Sequence, residues 1–298
     1  MRVTAGYANP DILIETDELE AELGVEDLRI IDCNVHLTPK PEGGYEISSG
    51  LEDWRAAHIP QSCFLEFEDE LSDDHPTLRF MLPSAEQFAR VMSENGIGNG
   101  HRVVVYSRGA NYWATRLFLM FREFGFDQVR VLNGAWDKWA AEQRPTTQAA
   151  PDWPAAVFTA IEPAGRIIGK DQVLAALDDP GTCIMNALSP AIHSGEIHNA
   201  PYGRPGHIKG SVNLYALELI DPETNRFADA QTLRAKFNAV SALEADHVIT
   251  YCGGGISATT NAFALMLLGK TGIAVYDGSM MEWGKDDSLP METGPDGG

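Results

Sequence analysis

Apolar positions along the chain fall into two kinds of pattern. Short runs rich in valine and isoleucine, such as Leu28-Arg-Ile-Ile-Asp-Cys33, Arg102-Val-Val-Val-Tyr106, Thr182-Cys-Ile-Met185 and His247-Val-Ile-Thr-Tyr251, have the length and composition of buried strands. Between them, apolar residues recur at helical spacing. In the second half this spacing predicts helices over Asp171–Leu177, Gln231–Phe237 and Ala258–Leu268, interleaved with strands at Cys183–Met185, from Val248, and at Ile273–Tyr276. Strands that alternate with helices predict parallel strands joined by crossover helices, an α/β fold. Ligands of such sheets bind beyond the carboxyl ends of the strands.

The pattern occurs twice. Arg102-Val-Val-Val-Tyr-Ser107 parallels His247-Val-Ile-Thr-Tyr-Cys252 at an offset of 145 positions. Ahead of these, Ala57-His58-Ile-Pro parallels Gly206-His207-Ile-Lys. Behind them, Val129-Arg-Val-Leu-Asn-Gly134-Ala-Trp-Asp-Lys-Trp139 parallels Ile273-Ala-Val-Tyr-Asp-Gly278-Ser-Met-Met-Glu-Trp283. Three matched blocks in the same order at nearly constant offset describe a duplicated domain. Between the copies, the aperiodic and proline-rich segment from Arg144 to Ala156 predicts an extended connection. The expected organisation is a first domain over 1–143, a linker over 144–162 and a second domain over 163–298.

Composition narrows the partners. A chain of 298 residues with 44% hydrophobic content can fill two cores. Its net charge of −21 offers no basic stripe to nucleic acid or to an anionic membrane. The carboxylates are scattered, as expected of a solvated acidic surface. No segment approaches the roughly 18 apolar residues that span a bilayer, and the first residues carry no apolar signal core. A cytoplasmic location is the default expectation. The four cysteines (Cys33, Cys63, Cys183 and Cys252) form no C-x-x-C pair and are expected to be free thiols. Cys33 and Cys183 lie in strand-like runs and are expected in the core.

Cys252 differs from the others. An apolar strand delivers it into Gly253-Gly254-Gly255-Ile256-Ser257, and a helix follows at once. Three glycines let the backbone fold into a tight cradle. Its N–H groups and the positive end of the next helix then favour an anionic sulfur. This is a setting for a nucleophile.

With both copies placed, the chain resembles the tandem-domain rhodanese-type sulfurtransferases, the group of thiosulfate and 3-mercaptopyruvate sulfurtransferases. The segments that carry the resemblance are Ala57-His-Ile-Pro60, Ala114-Thr-Arg116 with Leu119-Met-Phe-Arg-Glu-Phe-Gly125, Gly206-His-Ile-Lys-Gly-Ser-Val-Asn213, Cys252-Gly-Gly-Gly-Ile-Ser257 and Val275-Tyr-Asp-Gly-Ser279. The resemblance implies two rhodanese-like α/β domains, each a mostly parallel central sheet flanked by helices. It implies a ping-pong reaction in which Cys252 takes a sulfane sulfur from a small donor and passes it to a thiol or cyanide, with a protein as a further conceivable acceptor. No metal and no organic cofactor is implied.

Further site residues follow from the same resemblance. The amides of Gly253, Gly254, Gly255, Ile256 and Ser257 would hold the charge of a persulfide. Ser257 also stands where a helix N-cap belongs. Two roles are open to His58: holding a loop, or reaching the cleft as a matching histidine does in mercaptopyruvate-type relatives. Arg204 and Lys209 are the nearest cations for an anionic donor in the second half, against the alternative of solvated surface charges. His193 and His198 resemble a metal pair but lack further ligands. Ser107 stands where the second copy has Cys252 and cannot carry sulfur, so the first domain is expected to be silent. Tyr112 and Trp113 are expected to pack the domains together, with walling of a cleft over Cys252 as the alternative.

The loop also bears on the donor. Thiosulfate-type relatives place an Arg-Lys pair directly after the cysteine, where this chain has Gly253 and Gly254. Its Cys-Gly start is closer to the mercaptopyruvate type. Relatives of both types carry arginines shortly after the first strand of this domain, and Asn186–His193 contains none. Oxyanion chemistry of the phosphatase or arsenate-reductase kind needs Cys-x5-Arg, but the sixth residue after Cys252 is Ala258. A Walker-type phosphate loop is absent, because no Gly-Lys-Ser/Thr follows the glycines. A sulfur-relay protein with little turnover of free donors remains the alternative to an enzyme.

Overall fold

The computed structural model describes residues 6–40 and 43–295. The first repeat contains β1 (Leu13–Ile14), α1 (Thr16–Glu22), β2 (Leu28–Asp32), β3 (Val35–Pro39), β4 (Tyr45–Ser49), α2 (Leu51–Ala56), β5 (Ser62–Phe64), α3 (Ala85–Glu94), β6 (Arg102–Tyr106), α4 (Tyr112–Glu123), β7 (Val129–Leu132) and α5 (Ala135–Ala141). The second contains β8 (Ile167–Ile168), α6 (Lys170–Ala176), β9 (Thr182–Asn186), α7 (Pro190–His193), β10 (His207–Ile208), β11 (Val212–Asn213), α8 (Ala230–Ala239), β12 (His247–Tyr251), α9 (Ala258–Leu267), β13 (Ile273–Tyr276), α10 (Ser279–Trp283) and β14 (Met291–Glu292).

Each repeat builds one five-stranded sheet. The order β1-β7-β6-β2-β5 in the first matches β8-β13-β12-β9-β11 in the second. Every pairing within these two sheets is parallel. Burial on both faces explains why the central strands β2, β6 and β12 are almost continuously apolar. Two small antiparallel ladders, β3–β4 and β10–β14, stand outside the sheets.

The duplication extends to single hydrogen bonds. The Tyr106 hydroxyl pairs with Ser62 Oγ at 3.0 Å and receives the Ile59 N–H; the Tyr251 hydroxyl pairs with Ser211 Oγ at 2.6 Å and receives the Ile208 N–H. Trp139 Nε1 donates to the Pro145 carbonyl, as Trp283 Nε1 does to that of Pro290. Burying these phenols and indoles requires such partners, so the same solution serves both copies.

The repeats meet through α4 and α9. Nearly every residue of both helices is buried, which fits their lack of a polar face. Phe118 packs edge-on to its own counterpart Phe263 at 4.8 Å, and Thr115 Oγ1 lies 3.3 Å from Oγ1 of its counterpart Thr260. Contact between equivalent positions is what a local twofold relation produces. The connection over 144–162 forms no helix and is bound to the first repeat. Thr147 bridges to His58, and Phe158 packs on Phe88, Phe121 and Phe126. Glu123, fully buried, accepts the N–H groups of Gly165 and Arg166 at 2.8 Å each. Among the described residues, no helix is long and apolar enough to cross a membrane.

At the end of β2, burial pushes the Asp32 carboxyl up to about 7, although nearby Arg108 draws it down. Between pH 4 and 7 the folded chain therefore keeps a proton that the unfolded chain has released. Stability falls as pH rises across that window, by up to about 4 kcal/mol. Asp32→Asn keeps an acceptor for the Asn34 N–H and removes the titration. The expected result is a raised thermal midpoint at pH 8 and little change at pH 4; an equal shift at both pH values would refute the assignment.

Candidate active site

Cys252 lies at the carboxyl end of β12, the middle strand of the second sheet. The loop after it turns through the three glycines into α9. Gly255 adopts φ +72°, and a Cβ there would lie 2.5 Å from the Asp277 carbonyl oxygen. A Cβ on Gly253 would lie 2.3 Å from the Tyr202 hydroxyl. At these two positions the backbone runs too close to its neighbours for any side chain.

The loop is clamped by Ser279. Its Oγ accepts the N–H groups of both Cys252 and Gly255 at 3.1 Å and donates to the Tyr276 carbonyl at 2.7 Å. The Gly255 amide is thus already engaged, which corrects the expectation that it faces a bound sulfur. Among the described residues, the amides of Gly253, Gly254, Ile256 and Ser257 donate to no other group of the chain. Ser257 is already helical (φ −64°, ψ −24°), and its hydroxyl makes no capping bond. It faces the cavity instead.

The Cys252 thiol, 2% exposed, opens into a cavity of about 450 Å³ between the repeats. Gly253, Gly254, Ile256 and Ser257 form its floor, with Leu188, Tyr202 and Met281 from the same repeat. The first repeat supplies Tyr112 and Trp113 and the hairpin residues Val35, Leu37, Tyr45 and Ile47. Walling the cleft is therefore a role of Tyr112 and Trp113, beyond plain packing. The β3–β4 hairpin reaches across: the Gly44 N–H donates to Asn199 Oδ1 at 2.9 Å.

Two expected residues are not brought here. His58 is fully buried in the first repeat, stacked on Trp54 at 4.1 Å, with its ring nitrogens against the carbonyls of Trp54 and Ala149. It holds the loop and the linker and does not line the cavity. The Arg204 guanidinium hydrogen-bonds the carbonyls of Trp283, Gly284, Asp286 and Leu289, fastening the chain after α10. A guanidinium offers several donors in a rigid fork, and clustered carbonyls absorb them. Lys209 is exposed. His193 stacks on His207 at 3.7 Å, whereas His198 Nε2 lies 2.7 Å from the Gly203 carbonyl, so the two do not share a ligand.

The cavity's cations come from the first repeat instead: Arg79 and Arg108. Arg108 directly follows Ser107, and no sequence signal marks Arg79. Ser279 was legible in principle, since it stands where the first copy has Ala135. In that copy the Asn111 side chain takes over the turn: its Oδ1 accepts the Ser107 N–H at 3.2 Å. Burial pushes the Cys63 thiol up to about 12 and that of Cys183 to about 11, and raises Cys33 well above its ordinary value.

Twin parallel sheets flanked by helices, with a cysteine in a glycine cradle at the carboxyl end of the middle strand of one, define a tandem α/β protein. A rhodanese-like domain model matches residues 15–142 and again 190–286, and the chain belongs to the rhodanese family. It is 30% identical to the thiosulfate sulfurtransferase of Corynebacterium glutamicum over 97% of this chain and 92% of that one. It is 28% identical to the sulfur carrier protein TtuD of Thermus thermophilus over 97% of this chain and 99% of that one. Among solved structures, the 3-mercaptopyruvate sulfotransferase SseA of Escherichia coli superposes with a TM-score of 0.79 at 26% identity, covering 90% of this chain and 98% of that one.

Proposed function

We propose that the protein is a sulfurtransferase that carries a sulfane sulfur on Cys252 as a persulfide, with a catalytically silent first repeat. The reading rests on one juxtaposition: a thiol opening into a cavity beside loop amides that no group of the chain engages. The Cys252 thiolate attacks the outer sulfur of a donor. A new S–S bond forms as the donor's bond to that sulfur breaks, and the electron pair leaves with the donor. Thiosulfate releases sulfite. With 3-mercaptopyruvate the C–S bond breaks and the thiol proton ends on carbon, giving pyruvate.

The amides of Gly253, Gly254, Ile256 and Ser257 and the start of α9 stabilise the charge on the terminal sulfur. A thiol or cyanide then attacks that sulfur and frees the Cys252 thiolate. Each step balances without a metal or an organic cofactor. The uncharged Gly253 and Gly254 favour 3-mercaptopyruvate over thiosulfate as the small donor. A carrier that hands its sulfur to a protein acceptor is the second reading, supported by the similarity to a protein named as a sulfur carrier.

Intact-protein mass spectrometry distinguishes these readings. Either donor should add about 32 Da to Cys252, and cyanide should remove it as thiocyanate. Rapid multiple turnover favours the enzyme, whereas a stable adduct released only to a protein acceptor favours the carrier. No adduct from any donor would sink both.

A further inference from the structure

The wall of the cavity does not match its floor. The loop in the floor offers amides to an anionic sulfur, but the rest of the lining is chiefly ring and aliphatic carbon, led by Phe80, Tyr112, Trp113, Tyr202, Ile47 and Met281. Only two cationic side chains line it among the described residues, and both are already committed. Arg79 Nε donates to Glu68 Oε1 at 2.6 Å. Arg108 lies 4.5 Å over the Trp136 ring, donates to the Ala57 carbonyl and has Asp53 at 3.9 Å.

The polar tips of the wall are phenols. Burial holds Tyr112 and Tyr202 far above their ordinary range, so both are neutral. Tyr45 of the β3–β4 hairpin lines the cavity together with Tyr202, so each repeat contributes a phenol to it. Tyr202 also occupies the space that a side chain at position 253 would need.

Resting on the sulfur-transfer reading, we propose that this cavity selects sulfur donors with an uncharged aromatic body over the small dianion thiosulfate, and that Tyr45, Tyr112 and Tyr202 determine this selection. A dianion entering here sheds its hydration against apolar walls and finds Arg79 paired with Glu68 and Arg108 engaged by the Ala57 carbonyl and the Trp136 ring. A ring buries its faces on other rings and leaves the sulfur to the amides.

Thiosulfonates isolate the ring's effect. In RSO2–S⁻ + Cys252–S⁻ → RSO2⁻ + Cys252–S–S⁻ the thiolate bonds to the outer sulfur. The S–SO2R bond breaks, and its electron pair leaves on the sulfinate. Methanethiosulfonate and benzenethiosulfonate carry the same charge and differ in the ring.

With cyanide as acceptor, kcat/KM for benzenethiosulfonate should exceed that for methanethiosulfonate, and that for thiosulfate, by at least about tenfold, chiefly through KM. Tyr45→Ala, on the exposed hairpin, should cut the ring's advantage to below about threefold, whereas Tyr112→Phe should retain it. Advantages under tenfold, or Tyr45→Ala with an unchanged ratio, would overturn the proposal. Mass spectrometry of Cys252 with saturating donor separates the two levels. A persulfide from all three donors with no ring preference overturns only the selectivity; no persulfide from any of them overturns the sulfur-transfer reading as well.

Discussion

Cys252→Ala is expected to lower transfer of sulfur to cyanide by on the order of 10⁴-fold or more, to the uncatalysed floor, while the fold survives. No other group in the cavity can carry a sulfane sulfur. Cys33 and Cys63 are buried in the first repeat and Cys183 lies on β9, and burial keeps all three protonated. The thiol borders a cavity, so removing its sulfur leaves little unfilled core and should move the thermal midpoint by only a few degrees. Thiocyanate formation above a tenth of the wild-type rate would place the nucleophile elsewhere. Ser107→Ala serves as the control, with an expected change below about twofold. Ser107 is fully buried and its turn is closed by Asn111, so its hydroxyl faces no cavity that a donor could enter.

The contrast between these two positions shows which parts of the protein are legible in its sequence. Local pattern carried the elements well: the helix expected over Ala258–Leu268 runs from Ala258 to Leu267, and the strand at Ile273–Tyr276 has those bounds. The cradle was legible because cysteine, glycines and helix start are contiguous. Beyond Tyr112 and Trp113 the wall was not, since Tyr45, Arg79 and Phe80 come from the other repeat and meet Cys252 only through the packing of α4 on α9.

His58 and Arg204 misled for a different reason. A histidine or arginine in a motif is spelled the same whether its nitrogens face a ligand or backbone carbonyls, and both here face carbonyls. Comparing the copies position by position would have exposed Ser279 against Ala135. Both sit at positive φ, 48° and 60°, but only Ser279 has a hydroxyl to clamp a loop. The geometry is inherited from the duplication, and the second copy adds one oxygen to it.

Asp277→Asn is expected to destabilise the protein by about 3–5 kcal/mol, lowering the thermal midpoint by roughly 10 °C, because it strands a buried cation. Arg116 on α4 is fully buried, and its Nη2 lies 2.7 Å from Asp277 Oδ1 while donating to the Phe80 carbonyl at 2.8 Å. Asp277 Oδ2 in turn accepts the Leu82 N–H at 2.8 Å, so one carboxylate fastens the first repeat to the loop that bears Ser279. The other half of the molecule solves the mirrored problem without charge. Asn133, the counterpart of Asp277, accepts the Phe227 N–H at 3.0 Å, and Asn261, the counterpart of Arg116, donates to the Leu214 carbonyl at 2.8 Å. A neutral network therefore fits this architecture. It follows that most of the loss in Asp277→Asn comes from the unpaired guanidinium and not from the missing attraction. Adding Arg116→Met to Asp277→Asn should recover at least half of the lost stability, a coupling that a thermal double-mutant cycle reads directly. Additive losses would show instead that the pair itself stabilises the junction.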